Sequence, residues 1–140
     1  MRWDGPVLNF SGAQPCPCGS GATFAACCRV LLNGERQAAT AEELMRSRYT
    51  AYALQYGDYL FRTWHPRTRP AEVLPAPMAW TGLIILDVVD GGPEDEMGEV
   101  EFEAGYLDGG DRPTVLRERS RFARRAGRWF YLNADTLSVD

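Results

Sequence analysis

The four cysteines of this 140-residue chain all lie between positions 16 and 28. They form two close pairs, Cys16 with Cys18 and Cys27 with Cys28, separated by a turn that begins Gly-Ser-Gly. Two such pairs can bring four thiolates around one ion, and tetrahedral Zn²⁺ is the usual occupant of such a site. We therefore predict a structural zinc held by these four residues, which would order a segment too short to build a core of its own.

Disulfides or free thiols are the alternative interpretation of the cluster. A bridge within either pair would close a small and strained ring, and bridges between the pairs would need an oxidising compartment. The first residues, MRWDGPVLNFSG, include an early aspartate and no apolar run long enough for a signal peptide. We therefore expect a cytoplasmic protein, in which clustered cysteines more often bind metal or react with oxidants than form disulfides.

Composition limits the rest of the chain to one ordinary domain. Hydrophobic residues make up 45% of the sequence, and no apolar stretch approaches the length of a membrane span. The net charge of −4 makes nonspecific binding to nucleic acid unfavourable. We expect no membrane span and no nucleic-acid partner.

A helix with a readable start follows the cysteines. Thr40 and Glu43 have the spacing of a capping box, in which each side chain accepts a hydrogen bond from the other's backbone amide. Apolar and aromatic residues then recur on one face of the helix, at Met45, Tyr49, Tyr52 and Tyr56. Gly57 is predicted to end this helix, and a short second helix is predicted from residue 58 to 64.

Further along, two segments alternate between charged and other residues as half-buried strands do. They are Glu99–Glu103 and Arg117–Arg121, and a turn-rich loop, residues 108–111, lies between them. A hairpin folded about Gly110 places three pairs of opposite charge on one face: Glu99 with Arg121, Glu101 with Arg119, and Glu103 with Arg117. This match favours a neutralised strand face over a phosphate-binding arginine stripe.

The same register turns Glu118 and Ser120 toward the apolar face of the hairpin. A buried carboxylate is costly unless it is paired, hydrogen-bonded or protonated, so these two residues are candidates for lining a pocket beneath the helices. The alternative is that Arg46, Arg48 or Tyr49 holds Glu118 in a purely structural role.

The single histidine, His65, lies in Thr63-Trp64-His65-Pro66 and could act as a general acid or base. The alternative is that it fixes a helix end through a backbone hydrogen bond. No residue is assigned as catalytic. The candidate pocket residues are Tyr49, His65, Glu118 and Ser120.

The cysteine segment, CPCGSG followed by Phe24 and Cys27-Cys28, resembles the SEC-C motif, a short zinc-binding module. Downstream, LMRSRYTAY, TWHP and ERSRF are similar to the YchJ family of uncharacterised bacterial proteins. The resemblance implies zinc ligation by the four cysteines and an α+β fold. In that fold, a short zinc knuckle precedes a cystatin-like cone with a curved antiparallel sheet packed on helices, similar to nuclear transport factor 2.

On this basis we expect a flexible segment over residues 1–14, the cysteine knuckle over 15–36, and the cone domain over 37–140. The function favoured is that of an adaptor or binding module with structural zinc, which could dock a protein partner through the knuckle or a small ligand in the cone. One alternative is a cavity enzyme of the isomerase or hydro-lyase type that uses Glu118 and His65. Another is a redox-responsive zinc thiolate protein.

Overall fold

The computed structural model describes residues 10–139 of the chain. Most of the predicted flexible segment, residues 1–14, lies outside these described residues. The described part contains three α-helices and four β-strands after a single 3-10 turn at Phe24–Ala26. The helices are α1 (Cys28–Leu32), α2 (Ala41–Ala53) and α3 (Gly57–Arg62), and the strands are β1 (Ala79–Asp90), β2 (Met97–Leu107), β3 (Pro113–Arg125) and β4 (Arg128–Val139). Within residues 10–139, no helix has the length and apolar composition needed to cross a bilayer.

The four strands form one antiparallel sheet in the order β1-β2-β3-β4. Register shifts interrupt the pairing of β1 with β2 and of β3 with β4, and such bulges bend a sheet and increase its twist. Helix α2 packs across the concave face against β1, β2 and β4. This arrangement of helices on a curved antiparallel sheet confirms the predicted α+β fold.

One hydrophobic core joins the cysteine knuckle to the sheet. Residues from three elements are buried in it, each with at most 2% of its surface exposed: Phe24 of the knuckle, Leu44 of α2 and Phe122 of β3. Cys16, Cys18 and Cys28 belong to this same buried cluster. The knuckle therefore packs into the domain and is not a separate appendage.

Helix α2 begins as predicted but ends earlier. The hydroxyl of Thr40 accepts a hydrogen bond from the Glu43 amide at 3.1 Å, which confirms one half of the capping box. The Glu43 carboxylate accepts from the Ala39 amide at 2.7 Å, one position before the predicted donor. The end of the helix is set by Gln55, whose φ of 59° is left-handed, while the Tyr56 amide bonds back to the Ala51 carbonyl at 2.8 Å. The expectation that Gly57 ends the helix is thus wrong.

Gly57 has a different role at the start of α3. A Cβ at this position would lie 2.7 Å from the Val73 carbonyl oxygen, so only glycine allows the connecting segment to pass this closely. The glycine is needed for a close approach between chain segments and not for a helix end.

The hairpin of β2 and β3 has the predicted register, with Glu101 opposite Arg119. The charged side chains nevertheless pair along diagonals as well as straight across. Arg117 pairs with Glu101 and not with Glu103, while Arg119 bonds to Glu99 and Glu101 at 2.9 and 3.0 Å. Long guanidinium side chains reach diagonal neighbours on a twisted sheet, so the ladder becomes a network.

Arg121 extends this network from β3 to β4. It bonds to Asn133 and Asp135 of β4 rather than to Glu99. Each arginine of the run therefore has a carboxylate partner within the sheet, which supports the interpretation of a neutralised face.

Replacement of Glu101 should reveal the contribution of this network. Hydrogen bonds from Arg117 lower the pKa of Glu101 below its ordinary 4.5, so its ionised form stabilises the fold above that pH and the gain disappears as pH falls through the lowered pKa. We expect Glu101→Gln to lower the free energy of unfolding at pH 7, with a deficit that shrinks in acid. Urea unfolding across pH checks this.

Glu103→Gln is the matched control, because Glu103 lies on the same face yet forms no ion pair within residues 10–139. A deficit for Glu101→Gln that stays constant across pH would contradict the assignment of the network as the cause.

Candidate metal centre and adjoining cavity

The turn between the two cysteine pairs depends on glycine. Gly19 and Gly21 have φ values of 78° and 92°, in the left-handed region that other residues rarely adopt. The Cys16 amide donates to the Ala22 carbonyl at 2.9 Å and closes the loop. The chain then reverses, so that Cys28, the first residue of α1, returns to the first pair.

The four sulfurs are grouped tightly enough to share one ion. All four Sγ atoms lie within 4.8 Å of one another, and those of Cys18 and Cys27 are 3.7 Å apart. A tetrahedron of sulfurs about 2.3 Å from a central metal has edges of about 3.8 Å. Three of the cysteines are buried, Cys27 is partly exposed, and none forms a disulfide. The donor set fits a four-coordinate metal ion.

Close packing of the thiols shifts their acidities in opposite directions. The hydrogen bond with Cys16 is the largest cause both of the lowered pKa of Cys18 and of the raised pKa of Cys28. The sulfurs thus compete for protons. A bound cation removes this conflict, because it allows all four thiols to ionise together.

Helix α2 holds the cysteines from the other side. The buried hydroxyl of Thr50 donates to Cys28 Sγ at 3.3 Å and lies 3.9 Å from Cys16 Sγ. Arg46, one turn earlier, donates to the Cys18 carbonyl at 2.7 Å. These contacts are of the kind that orient metal ligands from outside the coordination sphere. Sequence reasoning did not identify Thr50, because nothing in its spacing marks a contact with residues 22 and 34 positions away.

A cavity of about 250 Å³ lies between α2 and the sheet. Its lining residues are Met45, Tyr49, Tyr52, Trp80, Phe102, Ala104, Leu116 and Glu118. Met45, Tyr49, Phe102 and Ala104 form a buried inner part, and the other four are half-buried. The rings of Tyr49 and Trp80 are 5.9 Å apart at an interplanar angle of 71°, so they form two walls that meet near a right angle.

Glu118 is the acidic residue among the lining residues. Thr136 donates to its carboxylate at 3.0 Å, and it forms no ion pair within the part of the chain that the structure describes. Burial raises its pKa, and the bond from Thr136 opposes this shift. The two arginines considered as partners bond elsewhere: Arg46 to Glu42, and Arg48 to the Leu60 carbonyl and the Thr63 hydroxyl.

The other two candidate pocket residues do not line this cavity. Ser120 is buried on β3 opposite Val100, beyond the lining residues. His65 lies against β4 instead, where its amide donates to the Tyr131 carbonyl at 2.7 Å. Tyr131 is five positions from Thr136, the partner of Glu118, which corresponds to roughly 16 Å along a strand. The structure brings Tyr49 and Glu118 to one cavity and leaves His65 outside it.

For two of the other lining residues, the sequence predicted a different role. Met45 and Tyr52 belong to the predicted helix stripe, which forms one wall of the cavity and is not only a core face. No sequence pattern separates these roles, because a core and a cavity wall demand the same apolar face.

Thr50→Val should weaken metal binding without removing a ligand. Valine keeps the shape of threonine but cannot donate to the sulfurs, so we expect roughly tenfold lower metal affinity. Competition with a chromophoric chelator measures this change. Thr114→Val is the control, since Thr114 is also buried but bonds to the Arg112 carbonyl on the far hairpin. Equal affinity of the two variants would contradict the assigned contact.

Glu118→Gln should stabilise the protein at neutral pH. Because burial raises the pKa of Glu118 above its ordinary 4.5, its ionisation costs stability above that pH, and the cost is absent in acid. We expect a higher unfolding midpoint for the variant at pH 7 and no difference near pH 4, by thermal unfolding. A variant less stable than the parent at pH 7 would show that the carboxylate has a stabilising partner.

Comparison with known proteins places both parts of the chain. Residues 40–134 match the family described as the YchJ middle NTF2-like domain, and residues 13–29 match the SEC-C motif. A UPF0225 protein of Deinococcus radiodurans is 51% identical over 122 residues, which cover 86% of this chain and 88% of that protein. A UPF0225 protein of Streptomyces coelicolor is 48% identical over 124 residues, covering 88% and 96% respectively.

Solved structures agree with this assignment. The solution structure of a SEC-C motif containing protein from Rhodopseudomonas palustris has a TM-score of 0.76 at 34% identity and covers 88% of this chain and 98% of that one. The crystal structure of a SEC-C motif containing protein from Psychrobacter arcticus has a TM-score of 0.75 at 24% identity, covers 91% and 85%, and supports the fold alone. The chain therefore belongs to the YchJ family and joins a SEC-C motif to the family's middle NTF2-like domain.

Proposed function

We propose that this protein is a cytoplasmic binding module in which a structural zinc ion stabilises the domain and the cavity beneath α2 receives a small ligand. The proposal assigns metal binding and ligand binding to two separate sites. The four cysteines hold the metal, and Tyr49 and Glu118 belong to the ligand site.

Zinc is the metal favoured by the donor set. Four thiolates fill every position of a tetrahedral ion, which is the pattern of structural zinc, whereas catalytic zinc keeps one position open for water or substrate. Three of the four cysteines are buried, so substrate has little access to the ion. The zinc is therefore proposed to stabilise the fold and not to take part in a reaction.

Helix α2 connects the two sites, and this observation carries the proposal. Arg46 and Thr50 contact the cysteine knuckle, while Met45, Tyr49 and Tyr52, on the adjacent face of the same helix, line the cavity. A metal that fixes the first face also fixes the second. Preorganisation of this kind reduces the entropic cost of ligand binding.

The catalytic alternative has less support than binding. An isomerase or hydro-lyase that used both Glu118 and His65 would need them within reach of one substrate. His65 is held against Tyr131, outside the cavity lining, so the pair does not form a proton-transfer site. Glu118 alone supplies a hydrogen-bonding or charged group, which is sufficient for recognition.

Metal analysis tests the first half of the proposal. Protein purified without chelator should contain about one zinc per chain, and Cys18→Ser should contain far less, because structural sites lose affinity with any ligand. A content below about half an equivalent in the parent protein would contradict structural zinc.

Metal removal tests the link between the two sites. Chelation should lower the thermal unfolding midpoint and shift the indole NMR signal of Trp80, which lines the cavity. Chelator added together with excess zinc is the control. An unchanged Trp80 signal in the metal-free protein would contradict the proposed coupling through α2.

A further inference from the structure

We propose that the cavity binds a small organic cation, an alkylated ammonium group that sits in the corner formed by the rings of Tyr49 and Trp80, with its charge beside Glu118. This inference rests on the proposed function, in that it names the class of ligand that the cavity receives. Three observations carry it: the aromatic walls, the unpaired carboxylate and the lack of a basic lining residue.

The aromatic walls offer the surface that alkylated ammonium groups prefer. Tyr49 and Trp80 meet at 71° with their centroids 5.9 Å apart, and Tyr52 adds a third ring to the lining. Ring faces carry partial negative charge, and tryptophan attracts cations most strongly. Several rings at steep angles can contact different methyl groups of one cation, which a single flat face cannot do.

Glu118 supplies the balancing charge. It is half-buried, accepts one hydrogen bond from Thr136, and has no ion-pair partner within residues 10–139. A carboxylate in such a place costs stability unless something pairs with it. The three arginines nearest to it on the strand, Arg117, Arg119 and Arg121, pair with carboxylates on the opposite face, and no arginine of residues 10–139 forms an ion pair with Glu118. A bound cation would provide the positive charge that Glu118 lacks.

The lining also argues against the other classes of small ligand. An anion would meet Glu118 with no lysine or arginine among the lining residues to offset the repulsion. Arg48 hydrogen-bonds to the lining residue Tyr52, but its guanidinium donates to Leu60 and Thr63 and packs over Trp64. A neutral apolar ligand would fill the cavity yet desolvate Glu118 further without supplying a positive charge to balance it.

The volume restricts the size of the ligand. About 250 Å³ corresponds to roughly eight water molecules at about 30 Å³ each. This is below the usual range of pockets for drug-sized molecules. The cavity therefore suits a small free cation or a single modified ammonium headgroup.

Choline and its uncharged isostere 3,3-dimethylbutan-1-ol provide a direct test on the zinc-loaded full-length protein. The two molecules have nearly the same shape and differ in the positive charge. Isothermal titration calorimetry should show choline binding at least about tenfold more tightly than the alcohol. Glu118→Gln should reduce choline affinity about tenfold and leave the affinity of the alcohol unchanged or higher.

Glu103→Gln is the matched control, because it removes one carboxylate from the outer face of the same hairpin. It should leave choline affinity unchanged. An equal loss in both variants would overturn the proposal, since net charge and not the cavity would then explain the effect.

A second measurement does not depend on the variants. Nuclear Overhauser contacts between the choline methyl protons and the rings of Tyr49 and Trp80 are expected in the parent protein. Choline contacts elsewhere on the surface would overturn the inference.

The outcomes also separate this inference from the proposed function. If both molecules bind the cavity equally, the cavity is a ligand site but cation recognition is wrong. If neither molecule binds, the cation proposal fails, and a screen of neutral fragments against the same ring signals then decides whether the cavity binds small molecules at all.

Discussion

The contact between the Thr50 hydroxyl and the cysteine sulfurs is the constraint on which the arrangement of this protein depends. It joins a segment without a core of its own to the longest helix of the domain, at 3.3 Å from Cys28 and 3.9 Å from Cys16. Phe24, which is fully buried in the shared core, adds apolar packing to the knuckle. Because these contacts are buried, the knuckle and the helix are expected to gain or lose order together.

The position of α2 then determines the cavity. The helix lies across the concave face of a sheet curved by bulges, and its aromatic residues do not fill the space between them. Glu118 lies at the edge of this space, where it accepts a hydrogen bond from Thr136 but forms no ion pair among the described residues. Arg117, Arg119 and Arg121 of β3 are bound by carboxylates on the outer face. The paired charges thus lie on the outer face of the sheet, and a carboxylate without an ion pair lies on the inner face beside the hydrophobic core.

Much of the local structure could be predicted from the sequence because short-range physics dictates it. The cap at Thr40 follows from hydrogen bonding within one turn, and the hairpin register follows from matched charges and a central turn. The predictions that failed depended on longer-range contacts. Gly57 is required because the Val73 carbonyl passes close to it. Arg117 forms its ion pair with Glu101 because the twist of the strands brings this diagonal carboxylate within reach. His65 is attached to β4 by a backbone bond that no side-chain pattern encodes.

Spacing along short segments was enough to predict the cysteine cluster that can hold a metal and the inward direction of Glu118, whereas the α+β class was implied by the resemblance to the YchJ family. Three features could be read only from the folded structure: Thr50 touches the sulfurs, Tyr49 and Trp80 form a corner, and no basic residue among the described ones pairs with Glu118. These features depend on how far apart segments approach each other. Distances between such segments are set by packing of the whole core, which has no signature in local periodicity.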